Sequence, residues 1–144
     1  YDFFIFDQEF LHVVLWPGHP LSDKSELTLE NIKDEALIYY PESFSLHSYI
    51  RSFYQKISAR PIIIGQTSNW DFMGEMVRTK LGIALLPQSI CNRFNSTQLK
   101  TIPLVEPKIP WTLAMVWKSR GFLSHSTRMW VNSFKEYYKN PRIK

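Results

Sequence analysis

PIIIGQTSNWDFMGEMVRTKLGIALLP, residues 61–87, decides the fold. It opens on a β-branched run, Ile62-Ile63-Ile64, stopped by Gly65, and closes on a second apolar run, Ile83-Ala84-Leu85-Leu86, stopped by Pro87. Neither run alternates apolar with polar residues, so each reads as a strand buried on both faces, the habit of parallel sheets. Between them Phe72, Met73, Met76, Val77 and Leu81 recur at helical spacing, with Glu75, Arg78 and Lys80 elsewhere on the wheel. That is one βαβ unit. Its first turn, Gln66-Thr67-Ser68-Asn69, leads from the carboxyl end of a strand into a helix start. Open α/β sheets hold small ligands at such turns, and the exposed amides favour anions.

Working outward, residues 36–40 (ALIYY) form the preceding strand, closed by Pro41-Glu42-Ser43. Ser45 is placed to cap a helix whose apolar positions are Leu46, Tyr49, Ile50, Phe53 and Ile57, and Pro61 bars that helix from continuing. Strand, helix, strand, helix, strand thus runs from residue 36 to 86, which predicts a parallel, right-handed layer. Upstream, residues 1–6 (YDFFIF) form a short apolar segment, and residues 9–16 (EFLHVVLW) a strand ended by Pro17-Gly18. Thr28 can cap a brief helix over residues 29–33, with Asn31 at its third position. Downstream, Pro103 marks residues 99–105 (LKTIPLV) as an edge or crossing strand. Residues 111–117 (WTLAMVW) read as a strand and 118–122 as a turn; Ser124 then caps an aromatic helix that runs into the basic tail 139–144.

The length of 144 residues suggests one domain, and 44% apolar content suffices for a core. A net charge of +4, spread along the chain, lacks the clustering of a nucleic-acid surface. The single Cys91 excludes an internal disulfide and points to a reducing, intracellular setting. No apolar run approaches the roughly 20 residues that span a bilayer.

Catalysis finds little support. His12, His19, His47 and His125 lie in four different elements; no HExxH, CxxC, GxGxxG, Walker or GxSxG pattern is present. His12 reads as a partly exposed strand histidine and Cys91 as buried packing. No metal or cofactor site is expected. Two polar turns remain, residues 40–45 and 66–69, at the ends of adjacent parallel strands. Each reads either as ordinary N-capping or as half of a cleft for a small anion. In the second reading Tyr40, Ser43, Gln66, Thr67 and Ser68 line the cleft, with Ile83 and Ala84 as its apolar floor, and Glu42 repels an anion unless a basic group intervenes.

The order His19-Pro20-Leu21 after a strand, the Thr67/Ser68 turn, Leu81-Gly82-Ile83-Ala84-Leu85-Leu86-Pro87, then Arg120 followed by Leu123-Ser124, closely resembles the effector-binding domain of LysR-type transcriptional regulators. The resemblance implies an α/β, type 2 periplasmic-binding-protein-like fold with one complete parallel-sheet subdomain (residues 17–98) and part of a second (1–16 and 99–144, including two crossing strands). It implies a small-molecule effector, organic or amino acid-like, and a cytoplasmic regulator rather than an enzyme. It also implies a homo-oligomer through the helices 45–59 and 69–80, whose apolar surface, with Tyr54, Met73, Met76 and Val77, is taken to exceed what one sheet face can cover. DNA contact would belong to a winged-helix domain outside this chain, as would most of the first subdomain. A solute-binding protein of a transporter is the alternative with the same fold. The family normally places Gly where this chain has Lys80, so that helix end is expected to be strained or differently built.

Overall fold

A computed structural model describes residues 1–119 and 123–139. Arg120 of the family-like motif, the last part of the 118–122 turn and the tail beyond Lys139 lie outside the described residues. The elements are β1 (Asp2–Leu15), β2 (Leu27–Thr28), α1 (Leu29–Ile32), β3 (Ala36–Tyr39), α2 (Ser45–Lys56), β4 (Ile62–Gln66), α3 (Trp70–Arg78), β5 (Ala84–Pro87), α4 (Gln88–Cys91), β6 (Lys100–Glu106), β7 (Pro110–Trp117) and α5 (His125–Lys139). They fall into two compact units, Glu9–Trp111 and Tyr1–Gln8 with the described residues from Thr112 onward.

In the larger unit β3 and β4 pair in parallel, as the alternation predicts. A parallel bridge from Leu37 to Ile83 carries that pair toward β5. β5 is antiparallel to β1, β1 is antiparallel to β6, and β6 is parallel to β2. The sheet is therefore mixed, with the β1 segment Leu11–Leu15 between β5 and β6. Leu11, Val13, Val14 and Leu15 are fully buried there, which explains a run too apolar for a one-sided strand. Residues 1–6 and 9–16 belong to this one strand instead of two segments, because no turn residue separates them.

The helices bury part of each predicted stripe, with Tyr54 added on α2 and with Tyr49, Phe72 and Leu81 left exposed. Leu46, Ile50 and Tyr54 of α2, four residues apart, are fully buried, as are Met73 and Val77 of α3. This corrects the expected oligomer patch: Tyr54, Met73 and Val77 belong to the core, and the exposed apolar side chains are Tyr49 and Phe72. A second correction concerns β4. Expected to be buried on both faces, it pairs only with β3, and Ile62, Ile63 and Ile64 stay 50%, 40% and 50% exposed. A strand at the end of the sheet has a neighbour on one side only. Third, Ser45 does not cap α2: Phe44 holds that position and supplies no side-chain hydrogen bond. At α1, by contrast, Thr28 accepts from Asn31 N while Asn31 Oδ1 accepts from Thr28 N, so Asn31 completes a reciprocal box usually closed by Glu or Gln.

The helix end before β5 is built as the missing glycine implies. Lys80 takes the left-handed conformation, φ 63°, which costs a side-chain-bearing residue about 1–2 kcal/mol. Two residues on, the chain passes close to β3: a Cβ at Gly82 would sit 2.6 Å from the Ala36 carbonyl oxygen.

In the smaller unit the edge of the Phe6 ring meets Phe134, with centroids 5.1 Å apart, and Phe134 stacks with Trp130. The Ser124 hydroxyl accepts from Thr127 N at 3.2 Å, the cap that the sequence predicts for α5.

Two substitutions test this helix end. Lys80→Gly removes the left-handed cost and adds back some unfolded-chain entropy, so urea denaturation should show a net gain of about 0.5–1 kcal/mol. Gly82→Ala should lose about 1–3 kcal/mol by the same measurement, since backbone must shift to admit the methyl group.

Candidate functional site

Both polar turns sit at the carboxyl ends of the parallel pair, where Tyr39 of β3 lies opposite Gln66 of β4. They are tied together by the main chain: Thr67 N donates to the Tyr39 carbonyl at 3.0 Å. The second turn is wound locally, with Thr67 Oγ1 accepting from Asn69 N at 3.1 Å and Asn69 Oδ1 accepting from Phe72 N at 3.0 Å. Asn69 therefore caps α3, while the Thr67 hydroxyl hydrogen stays available to another acceptor. Ser68 and Gln66 are exposed beside it.

The first turn is anchored by aromatic side chains. Tyr40 is buried, donates its hydroxyl to the Leu85 carbonyl at 2.9 Å, and stacks on Phe44 with the rings 10° from parallel. His47 Nδ1 lies 2.8 Å from the Tyr40 carbonyl oxygen; a carbonyl only accepts, so Nδ1 carries the proton. The Tyr39 hydroxyl donates to the His47 carbonyl at 2.7 Å. Burial raises the Tyr40 phenol well above its ordinary value, and the Trp70 indole N–H opposes this only in part. That N–H is buried and has no partner in hydrogen-bonding geometry. Trp70 and His47 are not singled out for this end of the sheet by the sequence, since only tertiary packing brings them there.

Of the seven anticipated site residues, Ser43, Gln66, Thr67 and Ser68 lie at the surface of the two turns, and Tyr40 lies beneath them. Ile83 and Ala84 do not form a floor. Both are fully buried, and Ile83 is bridged to Leu37, three residues before Tyr40, or roughly 10 Å back along the strand. The register of β5 sets them in the sheet interior and brings Leu85 to the Tyr40 hydroxyl instead.

His12 is half-buried in β1, and burial lowers its pKa despite the opposing charge of Glu9. Cys91 is buried with its thiol toward the Leu86 carbonyl, and burial pushes its pKa up to about 12. Among the described residues no cluster of His, Cys, Asp and Glu could hold a metal ion. None of their helices is long and apolar enough to cross a membrane.

A layer of parallel strands whose ends carry paired hydroxyl-bearing turns is a small-molecule-binding architecture. The family model described as LysR substrate binding domain matches residues 4–139, and the chain belongs to that family. It is 43% identical over 135 residues to the uncharacterized HTH-type transcriptional regulator YwbI of Bacillus subtilis (strain 168), covering 94% of this chain and 45% of that protein. The chain thus spans less than half of that relative. Among solved structures it is similar to the effector-binding domain of QuiR in complex with shikimate, with a TM-score of 0.77 at 20% identity over 96% of this chain and 65% of that one. It is likewise similar to the regulatory domain of Synechocystis PCC6803 CcmR in complex with 2-PG, with a TM-score of 0.80 at 18% identity over 96% of this chain and 67% of that one. These likenesses show the periplasmic-binding-protein-like fold.

The Cys91 environment predicts an inert thiol. With a pKa near 12 the thiolate fraction at pH 8 is of order one in ten thousand. Iodoacetamide should therefore label the folded chain far more slowly than the chain in urea, as read by mass spectrometry.

Proposed function

We propose that this chain is the ligand-sensing portion of a cytoplasmic LysR-type transcriptional regulator. The observation that carries this reading is the pairing of two hydroxyl-bearing turns at adjacent parallel strand ends, in a chain of the LysR substrate-binding family. Its effector is a small organic or amino acid-like anion. Ser43, Thr67 and Ser68 offer hydroxyls, Gln66 an amide, and the uncapped start of α2 its backbone N–H groups. Tyr40 acts from below by holding the first turn to β5. The chain works by binding and not by catalysis, and DNA is contacted by another domain of the complete regulator. Kinship with a transcriptional regulator favours this reading over a transporter's solute-binding protein.

Self-association belongs to the same reading. The helices first assigned to the interface keep Tyr49 and Phe72 exposed, and β4 adds three half-exposed isoleucines on an edge strand whose outer main-chain groups have no strand partner. Such an edge is covered in most stable proteins, and a second copy of the chain supplies cover at no cost in new sequence.

Shikimate and 2-PG, the ligands of the two structural relatives, are first probes of the turns. One or another small organic acid in a panel built around them should bind in calorimetry, and Thr67→Ala/Ser68→Ala should weaken it by about 1–3 kcal/mol with the fold intact. Affinity unchanged in that variant would remove these hydroxyls from the site.

A further inference from the structure

A groove of about 200 Å³ lies between α2 and the edge strand β4, entirely within the larger unit. Its wall on the helix side carries His47 and Arg51, and its wall on the strand side carries Arg60, Ile63 and Gln66. Both arginines line one small space, and neither has a carboxylate within 4.0 Å among the described residues. The other two arginines of the same unit are paired, Arg78 with Glu75 and Arg93 with Asp71. Glu42 is the single carboxylate on the lining. The groove is therefore bordered by two arginines against one carboxylate, in a concavity that concentrates their field.

His47 donates its Nδ1 proton to the Tyr40 carbonyl, so its neutral ring brings the groove no donor and recognition rests on the arginines and Gln66. The Tyr39 hydroxyl is committed to the His47 carbonyl, and Arg51 lies near enough to act on the phenol, opposing the burial that raises its pKa to about 12. Gln66 offers an amide N–H₂, while Pro61 and Ile63 give an apolar side to the space. Two Arg forks match the planar oxygens of a carboxylate or the tetrahedral oxygens of a phosphate, and both bind them through paired charge-assisted hydrogen bonds.

We propose that the α2–β4 groove is a second ligand site, separate from the Ser43 and Thr67/Ser68 hydroxyls, which takes a small metabolite bearing a carboxylate or phosphate through Arg51 and Arg60. It goes beyond the effector reading, since its defining charges are Arg51 on α2 and Arg60 just before β4, while Glu42 and Gln66 of the two turns border the same groove. A bound anion bridging Arg51 and Arg60 clamps the helix to a strand that has only one neighbour in the sheet.

The test titrates inorganic phosphate and, separately, malonate into the chain at constant ionic strength, with chloride as the control, and reads binding by calorimetry and by NMR shifts of the arginine side-chain N–H groups. At least one of the two probes should bind saturably and shift Arg51 and Arg60, where chloride does neither. The one that binds identifies phosphate or carboxylate as the recognised group. Arg51→Gln/Arg60→Gln, two exposed positions whose change leaves the core alone, should weaken the probe by roughly tenfold or more. Thr67→Ala/Ser68→Ala should leave it unchanged, so the two sites fail or stand separately. Wild-type affinity in the arginine variant, or no saturable shift with either probe, overturns the proposal.

Discussion

Two hydrogen bonds join the parallel pair to the rest of the sheet: Ile83 N to the Ala36 carbonyl at 2.9 Å, and Ile38 N to the Ile83 carbonyl at 2.8 Å. They require the chain at residue 82 to lie against the Ala36 carbonyl, which only a residue without a Cβ allows. The helix exit through Lys80 leads into that approach, and beyond it β5 pairs with β1 and brings the Leu85 carbonyl to the Tyr40 hydroxyl. The two polar turns are in turn placed by β3 and β4. The position of the residues proposed to face a ligand is thus settled some distance from them, at Gly82.

The alternation of apolar runs with helical periodicity over residues 36–86 was sufficient to read the parallel layer, because burial and spacing are local properties of the chain. What sequence could not reveal was which strand stands at the edge. Ile62-Ile63-Ile64 has the composition of a central strand, and only the sheet order shows that nothing pairs on its far side. The same blindness misplaced Ile83 and Ala84. An apolar pair after a helix reads equally as pocket floor or as core, and the one-residue detail of register decides. Hydroxyl-bearing turns were legible because their residues announce themselves by type. The arginine groove was not, since Arg51 and Arg60 are nine residues apart on different elements and each alone looks like solvated surface.

In this chain of the LysR substrate-binding family several titratable side chains serve the fold. The Cys91 thiol and the Tyr39, Tyr40 and Tyr54 phenols are held protonated by burial, and the Tyr39 and Tyr40 hydroxyls brace backbone carbonyls near the turns. Such groups hold the two turns in one shape, and in the proposed function that lowers the entropy lost on binding.

The central place of β1 also governs the order in which the larger unit can be assembled. Leu11 pairs with Pro87, 76 positions later, and Leu15 with Lys100, 85 positions later. Closing such long loops is entropically slow, whereas β3, α2 and β4 meet across short connections. During synthesis β1 therefore emerges first and finds its partners last. A nascent chain carries the parallel pair, with its isoleucine edge, for as long as the ribosome takes to deliver β5 and β6, and that interval is when a chaperone has most to shield.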